Sequence, residues 1–415
     1  MVVAYRIDQQ RLWDSLMKLA EIGSSSPIDQ EGITRLSLTK SDLQARGALV
    51  DLMEEVGLDV RIDTVGNIIG RWEGTDSTAP AVLTGSHIDT VQQGGIFDGA
   101  LGVLGAIEAI RTLMEAGVQL KHSIEVVSFL DEEGTRFGTG YIGSKAMAGE
   151  LKENVFDLID DDGITYREAF LQANLDPALY KDATRNKGEI KAYIEMHIEQ
   201  GKVLEEQGLS VGIVTDIQGP LWLDITITGS ADHAGATPMN MRKDASLTMA
   251  EIILNIETIA KKYDGVGTVG KMTIEPGGVN IIPGKASFSV DLRHVDKVKR
   301  AEMVDAVYES VERACQKRNA QYLIDIKKDV DPTSCSEEII QVLEGACQDL
   351  TIPTMKLQCG AGHDSLIMSK MTKMGMIFIR SKDGISHNPK EWSSKEDCAT
   401  GTQVLLNTLV QLASK

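Results

Sequence analysis

An α/β protein is predicted: a doubly wound, mixed-sheet domain interrupted by an inserted βαββαβ domain. Three observations carry that expectation. The strand candidates Ala81–Thr84 and Ser123–Leu130 flank a Leu-, Ile- and Ala-rich helix candidate, Leu101–Ala116, and strand–helix–strand order builds doubly wound sheets. After Gly219 the texture changes to strands that alternate apolar and polar residues, interleaved with two helices. At 415 residues the chain is long enough for two hydrophobic cores.

Taken in order, Leu12, Leu16 and Leu19 mark a first helix, and a Gly/Ser/Pro-rich stretch from Gly23 to Pro27 ends it. Ser41 is the expected cap of a second helix running through Leu49 and Leu52, which Gly57 closes. The strand–helix–strand unit follows. In the middle segment, Trp222–Thr228 reads as a strand with one wet face. A helix from Arg242 to Lys262, strands near Thr268–Glu275 and Ala286–Arg293, a helix from Asp296 to Arg318 and a strand Tyr322–Ile326 complete a split βαβ arrangement. The outer pattern then resumes with a helix Ser336–Leu350, a strand Met376–Arg380 and a closing helix to Leu412. The expected division is 1–218 with 331–415 as one domain and 219–330 as the insert.

Composition excludes several classes. A net charge of −19 provides no basic footprint for nucleic acid or an anionic membrane. No apolar run approaches the ~20 residues of a membrane span, and the first ten residues lack the basic-then-apolar order of a signal peptide. Five cysteines without CxxC spacing fit a reducing compartment and no thiolate metal site. The expectation is a cytoplasmic protein.

Five short islands place metal-binding side chains beside Gly, Ser or acid: Gly85-Ser-His-Ile-Asp89, Phe97-Asp98-Gly99, Asp131-Glu-Glu-Gly134, Glu195-Met-His-Ile-Glu199 and Ile385-Ser-His-Asn388. Singly, each has a plain alternative. His87 could be a hydrogen-bonded strand-end residue, Asp98 a helix cap, Asn388 a turn residue before Pro389. Adjacent Glu132 and Glu133 leaving an apolar strand are harder to explain, because two such charges repel unless a cation or a proton intervenes. Asp89, two residues beyond His87, is placed to accept the second ring N–H and fix its tautomer. Together the islands supply His and carboxylate ligands plus a free carboxylate, the parts of metal-assisted hydrolysis.

The motifs GSHIDTVQQGGIFDGALGV, DEEGTRF, HIEQG, DHAGATPM, GGVNIIPG, DLRH, GAGHD and GISHNP resemble the M20 metallopeptidase-like superfamily, from about Arg35 to the C-terminus. Within it the chain is similar to the amidohydrolase branch, which contains N-carbamoyl-L-amino-acid hydrolases, β-ureidopropionase-type enzymes and allantoate amidohydrolases. His197 stands where M20 peptidases have an acid. The resemblance implies two divalent metal ions per subunit: His87 and His197 would bind one, Glu133 and His387 the other, and Asp98 would bridge them. Zinc, manganese, cobalt and nickel all suit such ligands. Glu132 would be the general base, and Asp89, also catalytic, would support His87. Gln200 would lie near the ureido or amide group, His233 would donate to the oxyanion, and Asn280 and Arg293 would hold a substrate carboxylate. Gly360 and His363 would form a further substrate-side loop. The implied assembly is a homodimer through the inserted dimerisation and lid domain.

For substrate, the same branch offers two readings. Allantoate-type relatives carry a Gln-Arg-Arg or Gln-Lys-Arg run before the insert's first strand, whereas this chain has Pro220-Leu221-Trp222. That favours N-carbamoyl-L-amino acids, with a hydrophobic side-chain pocket, over allantoate. An M20 aminoacylase or dipeptidase is disfavoured by His197.

Overall fold

A computed structural model describes residues 5–24 and 32–414. The Gly23–Pro27 stretch therefore lies outside the described residues beyond position 24. The chain divides into two compact units. One comprises Met1–Thr215, Cys335–Cys359 and His363–Lys415, and the other Asp216–Ser334 with Gly360–Gly362. The second unit thus begins three residues before Gly219 and also takes in the Gly360 end of GAGHD.

The larger unit is built on a nine-stranded sheet. Its centre is four neighbouring parallel strands in the spatial order Ile124–Phe129, Ala81–His87, Ile190–Ile198, Lys373–Ile379. The outer strands are antiparallel, so the sheet is mixed. All four central strands are almost wholly buried, which explains why they read as continuous apolar runs instead of alternating ones. Helices Ala100–Glu115 and Lys395–Ser414 pack against them. From Ala81–His87 the chain proceeds to a neighbour on one side and returns to the other side with Ile190–Ile198. The carboxyl end of Ala81–His87 is therefore a switch point, where such sheets leave a crevice.

The second helix, Lys40–Val56, is closed by Gly57 in the left-handed region (φ 93°). Its cap is Thr39, not Ser41: the Thr39 side chain receives the Asp42 N–H, while the Ser41 hydroxyl turns back to the Thr34 carbonyl. Residues between Phe137 and Ala183 build a satellite core, in which Tyr166 stacks on Phe137 with centroids 4.1 Å apart.

In the second unit, strands Gly219–Thr228, Lys285–His294, Gln321–Asp329 and Met272–Glu275 form an antiparallel sheet, with Val266–Thr268 beside Lys285–His294. The helices Ala245–Tyr263 and Lys297–Lys317 cover one face. This is the β-α-β-β-α-β order, with the expected single strand at Thr268–Glu275 divided into two short ones.

Candidate metal centre and active site

Each of the four central strands delivers one part of the site at its carboxyl end. His87 ends its strand, Asp131–Glu133 follow Phe129, His197 precedes the last residue of its strand, and His387 lies on the loop after Ile379. Asp98 comes from the loop ahead of helix Ala100–Glu115. It is not the helix cap, because Gly99 occupies that position with no side-chain cap. Gly99 is required for a different reason: a Cβ there would lie 2.5 Å from the His87 ring.

Asp98 is the hub. Its Oδ1 lies 3.1 Å from His197 Nε2 and 3.5 Å from His87 Nε2, and its Oδ2 lies 3.3 Å from His387 Nε2. Glu133 Oε1 is 3.4 Å from His387 Nε2, and Glu132 Oε2 is 3.7 Å from His87 Nε2. Three groups have mutual spacing suited to a metal ion: His87/Asp98/His197, Asp98/Glu133/His387 and His87/Glu132/Glu133. The ring orientations agree. Nδ1 of His87 contacts the Asp89 carbonyl at 3.0 Å and Nδ1 of His197 the Ile198 carbonyl at 2.9 Å, so each Nε2 is turned toward Asp98.

Electrostatics show what the cluster lacks. Burial pushes Glu132 well above the carboxylate range, and Glu133, Asp364 and Asp89 push the same way against His87. Burial and Asp98 raise Glu133 to about 7. The hydrogen bond to Asp98, with Glu133 nearby, lifts His387 to about 9. At His87 burial alone would favour the neutral ring, but Glu132, Asp89 and Asp98 outweigh it and hold the pKa well up. Against its own burial, Asp98 is held well below the carboxylate range by His197, His387 and His87, whereas Glu132 and Glu133 are drawn toward neutrality, the mark of acids short of positive charge. The Oε1 atoms of both Glu132 and Glu133 are buried without a hydrogen-bond partner. Nitrogen and oxygen donors, unsatisfied carboxylates and a deficit of positive charge together fit divalent cations.

Asp89 meets His87 through two of its groups. The carbonyl of Asp89 takes the closer contact with His87, its carboxylate Oδ1 standing 3.5 Å from the ring. The carboxylate also accepts the backbone N–H of Glu132 and of Glu133, each at 3.2 Å. It shapes the acidic turn. The turn needs such a grip because Asp131 has φ 52°, a left-handed conformation unusual for any residue but glycine. Gln200 and His387 are also left-handed, with φ 56° and 52°.

The remaining expected residues scatter. Gln200 lies in the cluster, its amide donating to Asp98 Oδ2 at 2.7 Å while its Oε1 is buried without a partner. His363 is not on an open loop: it is buried behind His197, with ring centroids 4.2 Å apart. Asn388 accepts the Lys390 N–H and is a turn residue.

In the second unit, His233 pairs across from Ile281, next to Asn280. His233 Nδ1 accepts the N–H groups of Gly235 and Ala236, both at 3.1 Å, so its ring proton resides on Nε2, free to donate. Arg293 is elsewhere. It pairs with Asp291 (Nη2 to Oδ2 2.6 Å) and donates to the Gly360 carbonyl at 2.5 Å. Asn280 and Arg293 therefore cannot hold one carboxylate within this chain. Leu221 is buried in the core of the second unit and Pro220 is also buried, leaving only Trp222 of that apolar run exposed.

The sequence profile of peptidase family M20/M25/M40 matches residues 83–411. The chain belongs to this family. It is 46% identical over 408 residues to an N-carbamoyl-L-amino acid amidohydrolase of Geobacillus stearothermophilus, covering 98% of this chain and 99% of the relative. It is 39% identical over 407 residues to a ureidoglycolate hydrolase of Arabidopsis thaliana, covering 95% and 85%. Among solved structures, a hydantoinase/carbamoylase family amidase from Burkholderia multivorans superposes with a TM-score of 0.92 at 35% identity, covering 99% of each chain.

Two residues that spacing does not single out also belong to this M20 site. Glu391 receives the backbone N–H groups of Phe97 and Asp98. Tyr166 donates to Asp131 Oδ2 at 2.5 Å. An acid beside Trp392 and a tyrosine in a helix carry no local signal of either contact.

Proposed function

We propose that this M20 protein hydrolyses the carbamoyl C–N bond of N-carbamoyl-L-amino acids, giving the L-amino acid, carbon dioxide and ammonia. The observation that carries the reaction class is Asp98 set between His87, His197 and His387, with Glu132 beside them, one of its carboxylate oxygens buried and without a hydrogen-bond partner. The substrate class is supported by full-length likeness to the Geobacillus N-carbamoyl-L-amino acid amidohydrolase. The allantoate or ureidoglycolate reading is weaker, because Trp222 is exposed where the Gln-Arg-Arg run would add positive charge.

In this mechanism His87 and His197 would hold one divalent ion and Glu133 and His387 a second, with Asp98 as a ligand common to both groups. Bound divalent ions supply Lewis acidity at the carbonyl oxygen and acidify the attacking water. Glu132 would take a proton from the attacking water and return it to the leaving nitrogen, a role for which its free carboxylate oxygen beside His87 is placed. The turn held by Asp89 keeps Glu132 in place. His233 donates its Nε2 proton to the developing oxyanion. Arg293 holds the α-carboxylate with its guanidinium fork, taking it in exchange for Asp291.

The active assembly is a homodimer through the inserted units. Support comes from the separation of His233 and Asn280 from Arg293: the first two would complete the site of the other chain. The net charge of −19 disfavours nucleic acid and anionic membrane surfaces as partners, and among the described residues no helix is long and apolar enough to cross a membrane. Five free, buried cysteines support a reducing compartment, the cytoplasm. The deciding experiment is a hydrolysis panel with metal-reconstituted protein, comparing N-carbamoyl-L-amino acids, allantoate, N-acetyl amino acids and dipeptides. Turnover of allantoate above every N-carbamoyl-amino acid would overturn the proposal.

A further inference from the structure

We propose that Glu391 is a positioning residue for the metal centre, holding Asp98 and His387 at the spacing that a bound ion requires. This rests on the metal reading above. Glu391 is 3% exposed and forms no ion pair with Lys or Arg among the described residues. All its contacts run instead to the two loops that carry these ligands. Its Oε1 accepts the N–H of Phe97 at 2.9 Å and of Asp98 itself at 3.1 Å. Its Oε2 accepts the hydroxyl of Ser386, the residue before His387, at 2.7 Å. One carboxylate thus joins two segments nearly 300 residues apart in the chain.

The surroundings are shaped for this acid. A Cβ at Gly95 would lie 2.1 Å from the Glu391 carboxyl carbon, so the loop leaves that space to the side chain. Next to it, Trp392 packs edge-on against Phe97 and Trp13, with centroids 5.5 and 5.4 Å apart, sealing the two loops together.

The need for an acid, as opposed to any acceptor, follows from Ser386. Its Oγ is 2.7 Å from Glu391 and 3.0 Å from Asp98 Oδ2, and it has a single proton to give. Glu391 Oε2 accepts that proton at the shorter distance, so that Asp98 Oδ2, which already takes the Gln200 amide at 2.7 Å, is spared a second full hydrogen bond. In Glu391→Gln the amide oxygen still accepts both backbone N–H groups, but the amide nitrogen donates to Ser386. The Ser386 proton is then turned onto Asp98 Oδ2, where it competes with a cation.

The test is titration of the metal-free full chain with Mn²⁺ and with Zn²⁺ against a chelating indicator, alongside the thermal midpoint without metal. Glu391→Gln should bind each ion about tenfold to a hundredfold more weakly, the usual range for groups that orient ligands, with its metal-free midpoint unchanged. Ser386→Ala should weaken binding as well, by a smaller factor, and the exposed Lys390→Ala should not. Wild-type affinity in Glu391→Gln overturns the inference, as does an affinity loss matched by a lower metal-free midpoint. If Glu391→Gln does not fold, wild-type affinity in Ser386→Ala overturns it. A wild-type chain that binds metal but cleaves no N-carbamoyl-amino acid overturns the proposed function and leaves this inference intact. One that binds neither ion overturns both.

Discussion

His233 and Arg293 stand at opposite ends of the second unit. Arg293 lies near one end of the strand Lys285–His294, opposite Pro220 and Val266, and His233 lies beyond the other end, paired with Ile281. The eight residue steps from Lys285 to Arg293 alone span about 26 Å. A substrate small enough to be an N-carbamoyl-amino acid cannot touch both within one chain.

Subunit complementation should follow. Glu132→Gln and His233→Ala chains, each inactive alone, are mixed and allowed to exchange. A mixed dimer with shared sites has one site carrying both lesions and one carrying neither, so activity should return toward half per heterodimer. Exchange without recovered activity would show that each site is built within a single chain.

Glu132→Gln keeps the shape of the side chain and removes the proton acceptor. Metal content should stay near wild type while kcat falls by about 10²-fold or more. Near-normal turnover would remove Glu132 from the role of base.

Tyr166→Phe keeps the ring stacked on Phe137 and deletes only the hydroxyl that reaches Asp131. Loss of a partner at a buried carboxylate should cost about 1–3 kcal/mol of stability. Because Asp131 is the left-handed residue preceding Glu132, kcat should also fall while KM changes little. A stability loss with unchanged kcat would restrict Tyr166 to packing.

Asp42 predicts a pH dependence of stability. It is fully buried and accepts the Leu38 N–H at 2.8 Å. Burial, only partly offset by Arg46, raises it to about 6. A carboxyl raised in the folded state binds its proton more tightly there than when unfolded. The folded form is therefore favoured below the unfolded value and loses that advantage as pH rises from about 4 to 6. Asp42→Asn has no such proton to lose. Relative to wild type it should gain up to about 3 kcal/mol across that window, read as urea unfolding at pH 4.5 and 7. A constant difference would refute the assignment.

The sequence by itself determined the fold class and singled out the candidate metal-binding side chains, since both are written locally. Buried parallel strands read as apolar runs, and the residues that end them, His87, Glu132, Glu133 and His197, fall at the sheet's carboxyl edge by chain geometry alone. The tertiary structure decided which partner each group takes. Asp89 lies two residues from His87 in the chain, yet its carboxylate sits closer to the Glu132 and Glu133 amides, at 3.2 Å, than to the ring, at 3.5 Å, because the neighbouring strand brings them there. Alternation placed Leu221 and Trp222 on opposite faces of a strand, but only packing showed that the Leu221 face is the core. The ties of Glu391 to Phe97 and Asp98, and the distance between His233 and Arg293, depend on segments meeting or parting in space. Hydrogen bonds and burial are set by that meeting, and residue spacing along the chain carries no trace of it.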